Sequence, residues 1–223
     1  MAQSNAPFVS INSTIKLQTT VMNFLNTAIL SAFFVLCTLS NADAANWVLN
    51  ADKSEVNFIS IKKGNIAETH VFNDVSGHIS DGKAQFTIKP DSVDSRIPIR
   101  NERMREFLFE TKLYPTIEIS ANVNELLNSL APAQSNIVTI PAMLSMHGTS
   151  KEINLAARVS MMDSETLLVS STQSVLIRAA NFDMVEGITK LASLVNNLPI
   201  AETVPVNFSL ELTLLKDKQA ATH

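Results

Sequence analysis

From Asn46 onward the chain alternates apolar and polar residues with a period of two, broken at short intervals by turn formers, which predicts antiparallel strands. The clearest run is Ser54 to Lys62, with Val56 and Phe58 on one face and Asn57, Ile59 and Ile61 on the other. Both faces are largely apolar, so this strand is expected to be covered on both sides, by a core, a neighbouring subunit or a ligand. The same alternation predicts strands over Glu68 to Ser80, Lys83 to Lys89, Thr116 to Val123, Ile137 to His147, Lys151 to Met161, Thr166 to Arg178 and Val204 to Leu215. Between two of them, Asp81-Gly82 reads as a tight hairpin turn, whose two central residues need positive φ; Gly148-Thr149-Ser150 marks another. About eight strands with short connections predict an all-β, antiparallel closed barrel, because closure removes the open edges that invite aggregation.

Two segments follow a different period. Asn101 to Glu110 clusters Met104, Phe107 and Leu108 at helical spacing and is ended by Tyr114-Pro115. Gly187 to Val195 places Ile188, Leu191, Leu194 and Val195 on one face and stops at Asn196-Asn197 and Pro199. Two short helices on a barrel are suited to act as lids or plugs.

The first forty-odd residues look different again. Phe24 to Leu39 is almost wholly apolar and is followed by Ala42-Asp43-Ala44, the layout of a secretory signal peptide with its small-x-small cleavage site. Residues 1–44 are therefore read as a leader cut between Ala44 and Ala45, with Met22 as an alternative start to Met1. An uncleaved anchor is disfavoured because a span needs about 20 apolar residues, and Asn26 and Thr27 interrupt this run. Lipoprotein processing at Cys37 ranks below both, since Leu36 before it is large. Cleavage leaves residues 45–223 as one domain exported to the periplasm with no membrane anchor. Cys37 is the only cysteine, so that domain has no disulfide and no thiol chemistry, and its core must supply its stability.

Net charge is −4, without the basic excess of a nucleic-acid binder. Charged residues make up 17% of the chain, against about 25% in ordinary domains, so an unusual share of its surface should face something apolar.

Motifs for chemistry are absent or fail on inspection. Gly77 to Ala84 matches a phosphate loop except that Ala84 stands where the magnesium-binding Ser or Thr belongs, and the segment continues as a strand rather than a helix. His70, His78, His147 and His223 form no compact metal-ligand pair, and no serine lies in a G-x-S-x-G elbow. No catalytic residue, metal site or cofactor is assigned. The most polar feature is Arg96, Arg100, Arg103 and Arg105 beside Glu102 and Glu106. Intrahelical charge pairs account for it best; Arg96, Arg100 and Arg103 at a barrel mouth are the candidates for gripping a phosphate or pyrophosphate head group.

Several blocks resemble the YceI-like family of periplasmic, lipocalin-like polyisoprenoid-binding proteins, over essentially the whole of residues 45–223. Trp47-Val48-Leu49 with Ser54 to Phe58 resembles its first strand, and Val75 to Ile79 its second. The most specific block is Pro90 to Ser95, then Arg100-Asn101 to Phe109, then Tyr114 to Ile117; Leu144 to Thr149 with Lys151-Glu152-Ile153 is similar to its central hairpin. Two departures stand out: Asp183, in Asn181-Phe182-Asp183-Met184, replaces a glycine, and Arg100-Asn101 replaces the common Arg-Asp.

The resemblance implies an eight-stranded antiparallel lipocalin-like barrel with two short helices and an interior pocket for a long isoprenoid chain, polyprenyl or quinone-like, and often a homodimer. The expected ligand contacts are Phe58, Phe72, Phe86, Ile88, Met104, Leu108, Ile117, Ile119, Leu144, Met146, Phe182 and Leu191. A one-residue register error would turn any strand's set outward. The alternative function is a stress-related or inhibitory protein that acts on a protein partner through its surface, with no lipid bound.

Overall fold

The computed structural model describes residues 46–215; the expected leader and His223 lie outside the described residues. Twelve strand segments and three short α-helices make up the fold. The strands are β1 (Trp47–Leu49), β2 (Glu55–Lys62), β3 (Ile66–Phe72), β4 (Val75–Ser80), β5 (Lys83–Ile88), β6 (Val93–Asp94), β7 (Ile117–Asn122), β8 (Gln134–Met146), β9 (Thr149–Met161), β10 (Thr166–Ser171), β11 (Val175–Arg178) and β12 (Thr203–Leu214). The helices are α1 (Pro98–Arg103), α2 (Asn124–Asn128) and α3 (Val185–Ser193), with a π-helical turn, Met104–Leu108, continuing α1.

All pairings are antiparallel, and β1, β4, β5, β7, β8, β9, β10 and β12 follow one another around a ring of eight that β12 closes by pairing Leu214 with Trp47. β2, β3, β6 and β11 extend β1, β4, β5 and β10 beyond short breaks. The breaks hold turn formers with local hydrogen bonds. Ser54 Oγ donates to the Asn50 carbonyl at 2.7 Å, and the Asp74 N–H donates to Ser92 Oγ at 2.9 Å. Two predicted strands, Glu68 to Ser80 and Thr166 to Arg178, are therefore each two segments. β1 and α2 were not predicted from the alternation, because three and five residues are too short to establish a period.

The hairpin turns behave as their residues require. Asp81 and Gly82 have φ of 50° and 70°, and Lys63-Gly64 and His147-Gly148 repeat that geometry. The second turn therefore sits one residue earlier than expected, since Thr149 already belongs to β9.

Side chains alternate in and out of the barrel. Val56 and Phe58 are buried on the inner face of β2, whereas Ile59 and Ile61 are only half-buried. Among the described residues no second layer lies over the outer face of β2, and Ile59 and Ile61 are partly open to solvent.

The π turn and α3 pack against each other at the 178–202 end of the barrel. Their backbones approach so closely at Gly187 that a Cβ there would lie 3.0 Å from Leu108 Cα. Lys190 Nζ sits 5.5 Å from the Phe107 ring centroid across the same contact. Among the described residues no helix is long and apolar enough to cross a membrane.

Candidate functional site

The barrel encloses a tunnel of about 220 Å³ whose lining is apolar except for Glu202. Inward positions of successive strands build its wall: Val56 and Phe58, Phe86 and Ile88, Ile117 and Ile119, Leu144 and Met146, then Val204, Val206, Phe208 and Leu210. Gly77 faces Phe86 across the β4–β5 pair and leaves the space into which that ring folds; a Cβ there would also lie 2.8 Å from the Gln85 carbonyl. The Phe58, Phe72 and Phe109 rings pack at 5.4 to 6.2 Å between centroids, so Phe109, just after the π turn, covers the inner face of β2 and β3. Leu108, Met184 and Ile188 add the helical part of the lining.

Of the expected contacts, Phe58, Phe72, Phe86, Ile88, Leu108, Ile117, Ile119, Leu144 and Met146 line the tunnel. Met104, Phe182 and Leu191 do not. Met104 starts the π turn and is buried in the core, and Phe182, 1% exposed, ends a tight turn over Ala179–Phe182. Leu191 lies one helical turn beyond Ile188, half-buried against the core. Helical spacing defines an apolar face, but not which end of it reaches the ligand space. The lining residues of β9 to β12, among them Val169, Val206 and Phe208, were missed although their alternation was legible.

None of the three head-group candidates lines the tunnel. Arg100 donates to Glu68 through Nη1 at 3.0 Å and Nη2 at 3.3 Å, and Lys62 pairs with the same carboxylate. The Lys62 hydrogen bond, with Arg100 beside it, holds Glu68 below the usual carboxylate range. Arg105 Nε donates to the Asp91 carbonyl at 2.6 Å. Arg96 is exposed in a loop with φ of 62°, and Arg103 is half-buried on α1. The expected intrahelical pairing with Glu102 and Glu106 is corrected: Arg100 and Arg105 tie the helical segment to β3 and to the loop before β6.

The two sequence departures are explained locally. Asn101 Oδ1 accepts from the Ser95 N–H at 2.8 Å and the Ser95 hydroxyl at 2.6 Å, while its Nδ2 donates to Asp94 at 3.1 Å. An aspartate could not make that last bond, and Asp94 is held low by the Arg96 N–H and by Asn101. Asp183 has φ of 55°, the conformation a glycine adopts freely, and its carboxylate accepts a 3.3 Å bond from Thr149.

Nor do the three described histidines converge. His70 is 2% exposed, shares a 2.7 Å hydrogen bond with Ser60 through Nε2 and packs at a tilt against Phe58, with 5.0 Å between ring centroids. Burial pushes its pKa down to about 4, and the Arg100 charge adds to the effect. His147 bonds Glu110 at 2.8 Å under the Tyr114 ring, and His78 is exposed on β4.

A ring of eight antiparallel strands around an apolar interior, capped by short helices, is the architecture of a lipocalin-like barrel. The YceI-like domain model matches residues 47–212, and the chain belongs to that family. A polyisoprenoid binding domain from Saccharophagus degradans, implicated in plant cell wall breakdown, is 35% identical, with 76% of this chain and 98% of that one covered and a TM-score of 0.73. BcnA from Burkholderia cenocepacia shares the fold at 21% identity, with 73% and 98% of the two chains covered and a TM-score of 0.57. No curated protein matches the chain by sequence.

Proposed function

We propose that the protein is a periplasmic binding protein that holds a long isoprenoid-type lipid, polyprenyl or quinone-like, in its barrel and performs no reaction on it. The observation that carries this reading is the tunnel lining, apolar throughout except for Glu202. Such a wall rewards only the transfer of apolar surface out of water, roughly 4 kcal/mol gross per five-carbon unit at about 0.8 per methylene. It offers nothing to direct attack on a bond. Similarity to the Saccharophagus degradans polyisoprenoid binding domain supports the same ligand class. The apolar run from Phe24 to Leu39 and Ala42-Asp43-Ala44 support export and release from the leader.

Native mass spectrometry with organic extraction, on protein purified without detergent from the periplasm, tests this. A defined apolar molecule at about one per chain is the expected result. Consistently empty protein would overturn the carrier reading and favour action on a protein partner through the surface.

A further inference from the structure

Five of the twelve exposed large apolar residues, Ile66, Ile97, Ile99, Leu194 and Val195, fall on three short segments at the helix-covered end of the barrel. The segments are the tip of the β2–β3 hairpin (residues 62–67), the start of α1 with the loop before it (96–100), and the end of α3 with the loop after it (190–200). Hydrogen bonds and ion pairs hold the three side by side. The Lys63 N–H donates to the Pro199 carbonyl at 3.0 Å and Lys62 forms an isolated β-bridge with Ile200, while Lys62 and Arg100 share the Glu68 carboxylate.

The same segments carry five cations, Lys62, Lys63, Arg96, Arg100 and Lys190, and no carboxylate, in a chain whose net charge is −4. Of the carboxylates that border them, Glu68 is held by Lys62 and Arg100, and Asp94 accepts from the Arg96 N–H and from Asn101. Glu102 is followed at once by Arg103, and Glu202 lines the tunnel. Lys63, Arg96 and Lys190 form no ion pair among the described residues. Lys63 and Arg96 stand exposed on turns with φ of 52° and 62°. Exposed apolar side chains ringed by unpaired cations suit an anionic bilayer: the first enter the headgroup layer and the second are drawn to lipid phosphates.

We propose that these three segments form a docking surface for an anionic lipid bilayer, with Ile97, Ile99, Leu194 and Val195 entering the headgroup layer and Lys63, Arg96 and Lys190 at the phosphates. The proposal goes beyond the lipid-holding reading and does not depend on it, since contact with a bilayer needs no occupied tunnel. The contact is peripheral and salt-sensitive, because the attraction acts only within about 10 Å at 0.1 M salt. Two of the segments belong to the helical cap. α1 runs on into the π turn that carries Leu108, and α3 carries Ile188 six residues before Leu194; Leu108 and Ile188 are both tunnel wall. The bilayer therefore meets the end of the barrel that the helices cover.

Vesicle flotation tests this on protein expressed with its leader and purified from the periplasm without detergent. Vesicles of phosphatidylcholine alone are compared with vesicles of phosphatidylcholine and phosphatidylglycerol in equal parts. The wild type should prefer the anionic vesicles by at least about twentyfold, at about fivefold per unpaired cation, and lose the preference in about 1 M salt. Lys63→Asn with Arg96→Asn, chosen because asparagine tolerates positive φ, should lower affinity for the anionic vesicles about twentyfold. Ile97→Ser with Ile99→Ser should lower it about tenfold, as less apolar surface leaves water. Ile99→Trp should add an emission that shifts to the blue on anionic vesicles; Trp47, the one native tryptophan, is only 3% exposed. Lys83→Asn with Ile137→Ser, exposed on β5 and β8 away from these segments, should change nothing. All variants share one N-terminus, so differences among them belong to the substituted loops. Equal binding to both vesicle types, or binding that survives both loop variants, overturns the proposal. So does a loss in the β5 and β8 control as large as theirs. No vesicle binding at all would also overturn it and leave an acidic protein as the partner; the tunnel's contents, read by extraction, are untouched by any of these results.

Discussion

Gly187 lies where two opposing effects on stability can be separated by sign. Gly187 is the third residue of α3, and an exposed glycine-to-alanine change in a helix gains at most about 1 kcal/mol of propensity. At this position, however, the added Cβ would stand 3.0 Å from Leu108 Cα and 3.3 Å from the Phe107 carbonyl carbon, and nearer still to the Phe107 carbonyl oxygen. Carbon atoms prefer about 3.5 to 4.0 Å, and the obstacle is backbone, so no side-chain rotation relieves it. α3 must lift by roughly half an ångström or more, and overpacking of this kind costs about 1 to 3 kcal/mol. Gly187→Ala should thus be neutral to destabilising by about 2 kcal/mol. Because Met184 and Ile188 are tunnel wall, the loss should be local to the cap. Urea denaturation gives the net change, and amide exchange should quicken in α3 while β8 and β9 stay protected. A gain of about 1 kcal/mol with slower exchange in α3 would refute the close-contact argument.

Two further outcomes follow from the interior. His70 is neutral in the folded protein down to a pKa of about 4 but protonates near 6.5 when unfolded, so the unfolded chain takes up the proton first and stability falls as pH drops from 6.5 towards 4. Lys62 and Arg100 reinforce this and Glu68 and Asp94 oppose it; at about 1.4 kcal/mol per unit the loss approaches 3 kcal/mol, and His70→Phe should flatten that slope in denaturation midpoints recorded across pH. Phe109→Ala removes a ring packed 6.2 Å from Phe58 and 5.7 Å from Phe72, and should cost about 3 to 5 kcal/mol in the same assay; a loss below 1 kcal/mol would mean the rings do not close the interior.

What was legible in the sequence follows from the two periods. A period of two leaves only a choice of parity, and for β2, β5, β7 and β8 the large apolar residue marks the inner face, so Phe58, Phe86, Ile119 and Leu144 line the tunnel. The helical segments lack that constraint. Met104 and Leu108 lie one turn apart, yet one is core and the other lines the tunnel, because the π turn changes the angular spacing between them. The arginine cluster was legible as charge but not as connectivity: Glu68, the partner of Arg100, is 32 residues away in sequence.

The ring is built almost wholly from neighbours in sequence, each strand pairing with the next around it, and only the closing seam breaks that rule: β1 and its extension β2 against β12, with Trp47 to Leu49 on Leu212 to Leu214 and Glu55 to Phe58 on Val206 to Ser209. A chain that crosses a membrane or leaves a ribosome from its N-terminus therefore carries the first strand of the ring paired with β4 on one edge and open on the other until β12 has emerged. Shorter lengths can form hairpins but have no inside, and the apolar faces that will become tunnel stay open to water or to whatever binds them first. Closure of the barrel and creation of the apolar interior are one event, and it waits for β12, the strand of the ring that is made last.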